Sequence, residues 1–161
     1  MRAIALHTRE AIKLLRETIW AIHQENFTVE EFAERLNQYI NRYVQETNGL
    51  EVELLTTGSQ AQRLTSAQVL NLFRIVQEAL NNVLKHAGAT RATVRLAIQP
   101  EGRINLTVHD NGRRFTWTDG PAAETVLQQH YGLKNIQTRA QELGGTFRIF
   151  SCDGTTVEVD A

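Results

Sequence analysis

Glu78, Asn82, Lys85 and His86 lie four, three and one residues apart, a spacing that on a helix projects them from one side. A carboxylate and an amide one turn apart, followed by two nitrogen donors, could hold a hydrated divalent cation and the phosphates it bridges. The same spacing also describes an ordinary solvated helix face. Further along, Asp110-Asn111-Gly112 closes a run of alternating apolar residues. There the aspartate can accept a hydrogen bond from a ligand, and the glycine allows close backbone approach. Asp-Asn-Gly is equally good plain turn chemistry. Gly132-Leu133 stands where a helix is predicted to start, and the free amides and dipole of a helix start favour anions such as phosphate. Taken singly, each of the three features has a purely structural explanation.

The elements that must position these residues can be read from periodicity and caps. Ala5, Thr8, Ile12, Leu15, Ile19 and Ile22 step by three and four, forming the seam of a helix that packs on other helices, with Arg9, Lys13, Arg16 and Glu17 off it. That helix is expected to end near Gln24. Thr28 and Glu31 can form a capping box, stapled by Phe27 and Phe32, so a second helix begins there and runs through Leu36, Tyr39, Ile40 and Tyr43 to Asn48-Gly49. The same device recurs with Thr65, Gln68, Leu64 and Val69. It opens a third helix whose apolar positions Val69, Phe73, Val76, Leu80 and Val83 face a core and which Gly88 ends. Strands are predicted at 50–55, 93–98, 104–108, 147–150 and 156–159, and a helix at 133–143. Pro100-Glu101-Gly102 suggests a hairpin between the second and third strands. This order implies an α/β fold with helices on one face of a mixed sheet.

The 161 residues, 42% of them hydrophobic, suffice for one domain with its own core and a short helical appendage. A net charge of -1 provides no global field for nucleic acid or an anionic membrane. The single cysteine, Cys152, excludes an internal disulfide framework and suits a reducing compartment. No apolar run reaches the roughly 20 residues of a membrane span. Met1 opens directly into helical periodicity with no leader before it, which reads as the edge of a longer protein.

In sequence order, "RIVQEALNNVLKHA" (74–87), "LTVHDNG" (106–112), "GLKNIQTRAQELGG" (132–145) and "GTTVEV" (154–159) closely resemble the ATP-binding domain of bacterial two-component sensor histidine kinases. The nitrate-sensor-like subfamily, which pairs with helix-turn-helix response regulators, is the nearest match. Upstream, "TREAIKLLRETIWAIHQE" (8–25) looks like the second helix of that subfamily's dimerisation and phosphotransfer hairpin. The resemblance implies residues 1–26 as a dimerisation-type helix and 27–161 as a two-layer α/β sandwich shared with chaperone, gyrase and mismatch-repair ATPases. It implies that Asn82 ligates magnesium and that Glu78 orients or deprotonates the attacking imidazole. Lys85 and His86 would neutralise phosphate oxygens, and Asp110 would accept the amino hydrogen of adenine. Gly112 would leave space beside the base, Gly132 and Leu133 would offer amides to phosphate, and Thr155 would join the network around Asp110. ATP and Mg2+ are the implied cofactors. The intact protein is expected to be a cytoplasmic homodimer, or the cytoplasmic portion of a membrane-anchored sensor, that passes phosphate to a response regulator without touching nucleic acid itself.

The sequence departs from the family pattern at three places. Arg114 stands where the second glycine of Asp-x-Gly-x-Gly is usual, and His130 where the first glycine of Gly-x-Gly-Leu is usual. A non-glycine residue forced into a left-handed conformation at either position would cost about 1 to 2 kcal/mol, so the loop 116–129 is expected either to be rearranged or to bind ATP less well. The alternative role for Arg114 is a phosphate contact, since guanidinium suits phosphate geometry. No phosphoacceptor motif is present: His7 lacks the acidic neighbour, and His23 and His109 read as ordinary surface histidines. Two other functions therefore stand beside a kinase fragment that acts on a histidine outside this chain. One is a degenerate module for dimerisation or regulator docking, the other a serine kinase of the anti-sigma type.

Overall fold

The computed structural model describes residues 26–46, 49–116 and 130–161. The seam helix expected over residues 1–26, together with His7 and His23, lies outside them except for Asn26, which belongs to a strand and not to that helix; most of the 116–129 loop also lies outside them. Strand β1 (Asn26–Thr28) leads into helix α1 (Val29–Glu46), then β2 (Glu51–Thr57) and β3 (Arg63–Thr65). Helix α2 (Ser66–Asn82) continues as a π turn (Val83–Ala87), followed by β4 (Arg91–Ile98), β5 (Ile104–Asp110), α3 (Tyr131–Glu142), β6 (Thr146–Phe150) and β7 (Thr155–Asp160).

Both expected capping boxes are formed. At the start of α1 the Thr28 amide donates to Glu31 Oε2 (2.8 Å) and the Glu31 amide to Thr28 Oγ1 (3.1 Å). At α2 the Thr65 amide donates to Gln68 Oε1 (2.9 Å) and the Gln68 amide to Thr65 Oγ1 (3.2 Å). Each pair satisfies two amides that a helix start otherwise leaves without partners. The residues preceding the caps meet each other: Phe27 pairs with Leu64 in a small antiparallel sheet of β1 and β3. The two helix starts are thereby set side by side.

The main sheet has the order β2-β4-β5-β7-β6, with β2 and β4 parallel and the other neighbours antiparallel. The hairpin turn after β4 is closed by Gln99 and Arg103. Alternation along the strands sorts the two faces. Ala92, Val94, Leu96, Ile98, Ile104, Leu106, Val108, Ile149, Val157 and Val159 are buried against the helices. The other face carries polar groups, including the ion pair of Arg148 with Glu158 (2.7 Å) and the contact of His109 Nδ1 with Thr156 Oγ1 (2.9 Å). From the helical layer Phe32, Leu36, Ile40, Leu72, Phe73, Ile75, Leu80 and Ile136 complete the core. The result is the two-layer α/β sandwich, with helices on one face of a mixed sheet. No helix among the described residues is long and apolar enough to cross a membrane.

Two features of this frame aim the chemistry. Asp110 continues the two-residue period of Ile104, Leu106 and Val108, so its carboxylate is carried to the helical side of the sheet rather than to the polar side. At the end of α2 the π turn widens the backbone by one residue per turn, a device common at functional sites, and Gly88 ends it in the left-handed conformation (φ 58°).

Candidate functional site

The end of α2, the loop after β5, the start of α3 and the start of β7 meet at one edge of the sandwich. Gly112 is packed so closely on Ala87 that a Cβ added to it would strike the Ala87 carbonyl oxygen and lie 2.8 Å from the Ala87 Cβ. The Arg113 amide then donates to that same Ala87 carbonyl (2.8 Å). Glycine is needed at 112 because backbone meets backbone there. At the start of α3, a Cβ on Gly132 would strike the Glu78 carboxylate and lie 3.1 Å from Asn82 Oδ1. The first turn of α3 thus lies directly on the Glu78–Asn82 stripe of α2, with Leu133 buried beneath it.

Asp110 is only 4% exposed and is the one buried ionisable residue of the described core. Its Oδ1 accepts from the Gly112 amide (2.8 Å), and its β7 neighbour in register is Thr155. Burial pushes the carboxyl above the usual aspartate range; the Gly112 amide, His109 and the Thr155 amide pull it down by less. Desolvation of the charged form is therefore the dominant influence. The folded state holds a proton more tightly than the unfolded chain, so this group lowers stability as pH rises from about 3.9 through the raised folded value. Asp110→Asn keeps the acceptor for Gly112 and removes the charge. We expect it to raise the melting temperature at pH 7, the gain shrinking toward pH 4; a lower melting temperature throughout that range would contradict this origin of the shift.

Thr155 fastens the loop that follows. Its Oγ1 accepts from the Phe115 amide (3.1 Å) and donates to the Arg113 carbonyl (3.2 Å). Ser151 donates to the Phe115 carbonyl (2.8 Å). Arg114 lies 3.7 Å from Asp153, both side chains well exposed, so its guanidinium faces the β6–β7 turn. The Phe115 ring meets His130 edge-on at 5.3 Å, which joins the two described ends of the 117–129 segment. Neither replaced glycine is strained: among the described non-glycine residues only Asp153 has a positive φ, and His130 has φ -120°. The expected cost of a left-handed residue at 114 or 130 does not arise, because the backbone takes another path at both.

Lys85 and His86 occupy the π turn and are exposed, whereas Glu78 and Asn82 are half-buried on α2 proper. A single α-helical face would have aligned all four; the π turn separates them into two groups. Among the described residues, Asn82 Nδ2 is buried without a hydrogen-bond partner. An amide can present either end by a half-turn, so this side chain offers an unsatisfied donor or acceptor where one is costly to leave empty. Spacing did not single out Asn111, whose side chain ties the turn to β4 by accepting from the Thr90 and Arg91 amides (3.0 and 2.9 Å). The turn chemistry of Asp-Asn-Gly was its only signal.

Among the described residues, no three His, Cys, Asp or Glu side chains come together as a metal cage. An amide oxygen with neighbouring carboxylate suits magnesium, which keeps most of its water and binds through one or two protein oxygens and substrate phosphates.

A family model described as histidine kinase-, DNA gyrase B- and HSP90-like ATPase matches residues 67–161. The sensor protein VraS of Staphylococcus haemolyticus (strain JCSC1435) is 43% identical over 93 residues, which are 56% of this chain and 25% of that protein. VraS of Staphylococcus aureus (strain COL) is 42% identical over the same length and shares. The match thus spans about a quarter of the curated relatives. Among solved structures, the ATP binding domain of PrrB from Mycobacterium tuberculosis has a TM-score of 0.61 at 21% identity, covering 83% of this chain and 92% of that one. The Erythrobacter litoralis EL346 blue-light activated histidine kinase has a TM-score of 0.66 at 18% identity, covering 99% and 59%. At these identities the structures share the fold.

Proposed function

Since this chain belongs to the family of histidine kinase-, DNA gyrase B- and HSP90-like ATPases, we propose that it is the catalytic ATP-binding portion of a sensor histidine kinase. It would act on a histidine outside this chain. The observation that carries this reading is the arrangement at one edge of the sandwich: a buried aspartate at one end, and a carboxylate and an incompletely bonded amide under a helix start at the other. The first suits a base, the second a chain of phosphates.

In this reading the nucleotide base lies against Asp110, which accepts the exocyclic amino hydrogen of adenine. Guanine carries an oxygen there, and two acceptors facing each other repel. Gly112 keeps the loop close to the π turn, and Thr155 holds the loop that borders the base. The phosphates lie toward α3, where the amides of Gly132 and Leu133 and the helix dipole favour anions. Lys85 and His86, exposed on the π turn, offset phosphate charge. Asn82 would hold the magnesium ion, which when bound neutralises charge on the transferring group. Glu78 orients the incoming imidazole and takes its proton as the nitrogen attacks the terminal phosphorus and the bond to ADP breaks. Such a transition state is loose and metaphosphate-like, so positioning and electrostatics supply most of the acceleration.

The residues that precede β1 would form the second helix of a dimerisation hairpin in the manner of the nitrate-sensor-like subfamily. The intact homodimer would then pass its phosphate to an aspartate of a response regulator with a helix-turn-helix output domain. Any membrane anchor would belong to segments outside this chain.

Asp110→Ala is expected to weaken ATP binding by about 1 to 3 kcal/mol, the scale of a hydrogen bond to a charged group. GTP binding should weaken less in the same variant, and equal losses would remove Asp110 from base recognition. Transfer is tested by supplying the chain with magnesium, ATP labelled in its terminal phosphate and a separately produced dimerisation hairpin from a relative. Acid-labile label on histidine supports the proposal. Acid-stable label on serine would replace it with the serine-kinase reading.

A further inference from the structure

We infer that Tyr43 is a positioning residue for the phosphate end of the site: its hydroxyl, reaching across from α1, holds the last turn of α2, which carries Asn82, and so fixes where the π turn that follows places Lys85 and His86. The inference rests on the nucleotide-binding reading above.

The Tyr43 hydroxyl donates to the main-chain carbonyl of Leu80 at 2.7 Å. That carbonyl stands two residues before Asn82 and also accepts from the Val83 amide, which is shared between Ala79 and Leu80. Val83 is where the α-helical ladder gives way to the π turn. A carbonyl has two lone pairs, and here one serves the helix while the other serves a neighbouring helix at the point of change. A π turn is a rare conformation in a helix, and a bond from outside the helix at its threshold resists relaxation into a regular α-helical turn.

The hydroxyl is itself held in place. The Tyr43 ring packs on Tyr39 (5.7 Å), and Tyr39 meets Phe73 of α2 edge-on (5.3 Å). Phe73 and Leu80 are seven residues apart, two turns along one face of α2. The aromatic pair of α1 is thus laid along the buried face of α2, with the hydroxyl at its far end. Burial also pushes the hydroxyl well above the ordinary tyrosine range, so it remains a donor at any physiological pH.

The displaced unit would be the part of α2 that the nucleotide reading uses. Regular α geometry from Val83 onward would rotate each later residue by about 100° per position, a larger step than that of the π turn. Lys85 and His86 would turn away from their present direction, and the Ala87 carbonyl would leave the Arg113 amide and Gly112.

Tyr43→Phe keeps the ring and removes only the hydroxyl. The control is Ile40→Val, which trims a fully buried side chain of the same helix. Hydrogen exchange of the amides of residues 83–88 and the dissociation constant for Mg-ATP are measured in both variants, alongside their melting temperatures. Tyr43→Phe is expected to speed exchange across 83–88 and to weaken Mg-ATP binding about five- to tenfold, the scale of one hydrogen bond. Ile40→Val should lower the melting temperature with little change in either quantity. Unchanged exchange, unchanged affinity in Tyr43→Phe, or the same losses in Ile40→Val would overturn the positioning role. Should the native chain bind no nucleotide, the functional reading fails, and the exchange rates alone still decide whether Tyr43 holds the turn.

Discussion

Asn82→Ala is expected to abolish the magnesium-dependent part of nucleotide binding while the chain still folds. Asn82 is half-buried near the end of α2, and its Nδ2 has no partner among the described residues. Removing it therefore deprives the fold of no described hydrogen bond from that atom and relieves a buried polar group of its desolvation cost. Alanine is also the better helix former, by a few tenths of a kcal/mol. The amide is consequently a poor choice for stability and a good one for a ligand. Titration with ATP in the presence and absence of magnesium should give nearly equal, weak affinities in the variant, with a melting temperature close to that of the native chain. Undiminished Mg-ATP affinity would remove Asn82 from the metal site.

Gly112→Ala is expected to damage both folding and binding. The added Cβ points at the Ala87 carbonyl carbon and oxygen, backbone atoms with no rotamer by which to step aside. Asn111 holds the same turn to β4, and Thr155 holds the residues that follow it, so the turn cannot simply move away. Overpacking of this kind costs about 1 to 3 kcal/mol. The displaced loop also carries the amide that bonds Asp110, and ATP affinity should fall by more than tenfold, about 1.4 kcal/mol. Gly132→Ala makes a useful contrast. There the added atom would meet the far end of the Glu78 side chain, which can swing aside, so the variant should melt near the native temperature. A Gly112→Ala protein with native melting temperature and native ATP affinity would contradict the account of why glycine stands there.

Much of this molecule was legible in the sequence because its signals are local. Thr28 with Glu31 and Thr65 with Gln68 mark helix starts whose hydrogen bonds lie within three residues. The alternation from Ile104 to Val108 extends to Asp110, so a period of two already determines which side of the sheet that carboxylate takes. What stayed hidden depends on partners distant in the chain. A three-residue strand such as β1 has no readable period, and its pairing with β3 exists only once Phe27 and Leu64 meet across 37 positions. The π turn breaks the 3.6-residue period on which the alignment of Glu78, Asn82, Lys85 and His86 was reasoned. In the sequence Gly112 reads as space beside a base and Gly132 as an amide for phosphate. In the fold Gly112 is also needed for the Ala87 backbone that lies against it, while Gly132 lies against the movable end of the Glu78 side chain. Arg114 and His130 looked like strained replacements, yet each finds a partner, Asp153 and Phe115, without a left-handed backbone.

This edge of the sandwich is expected to be a working Mg-ATP site despite Arg114 and His130. The direct test is calorimetric titration of the chain with ATP, ADP and GTP, with and without magnesium. Adenine-selective binding that magnesium strengthens is the predicted result. A folded chain that gives no heat with any of the three, and no binding in a second assay, would contradict it and leave a dimerisation or regulator-docking module as the better description.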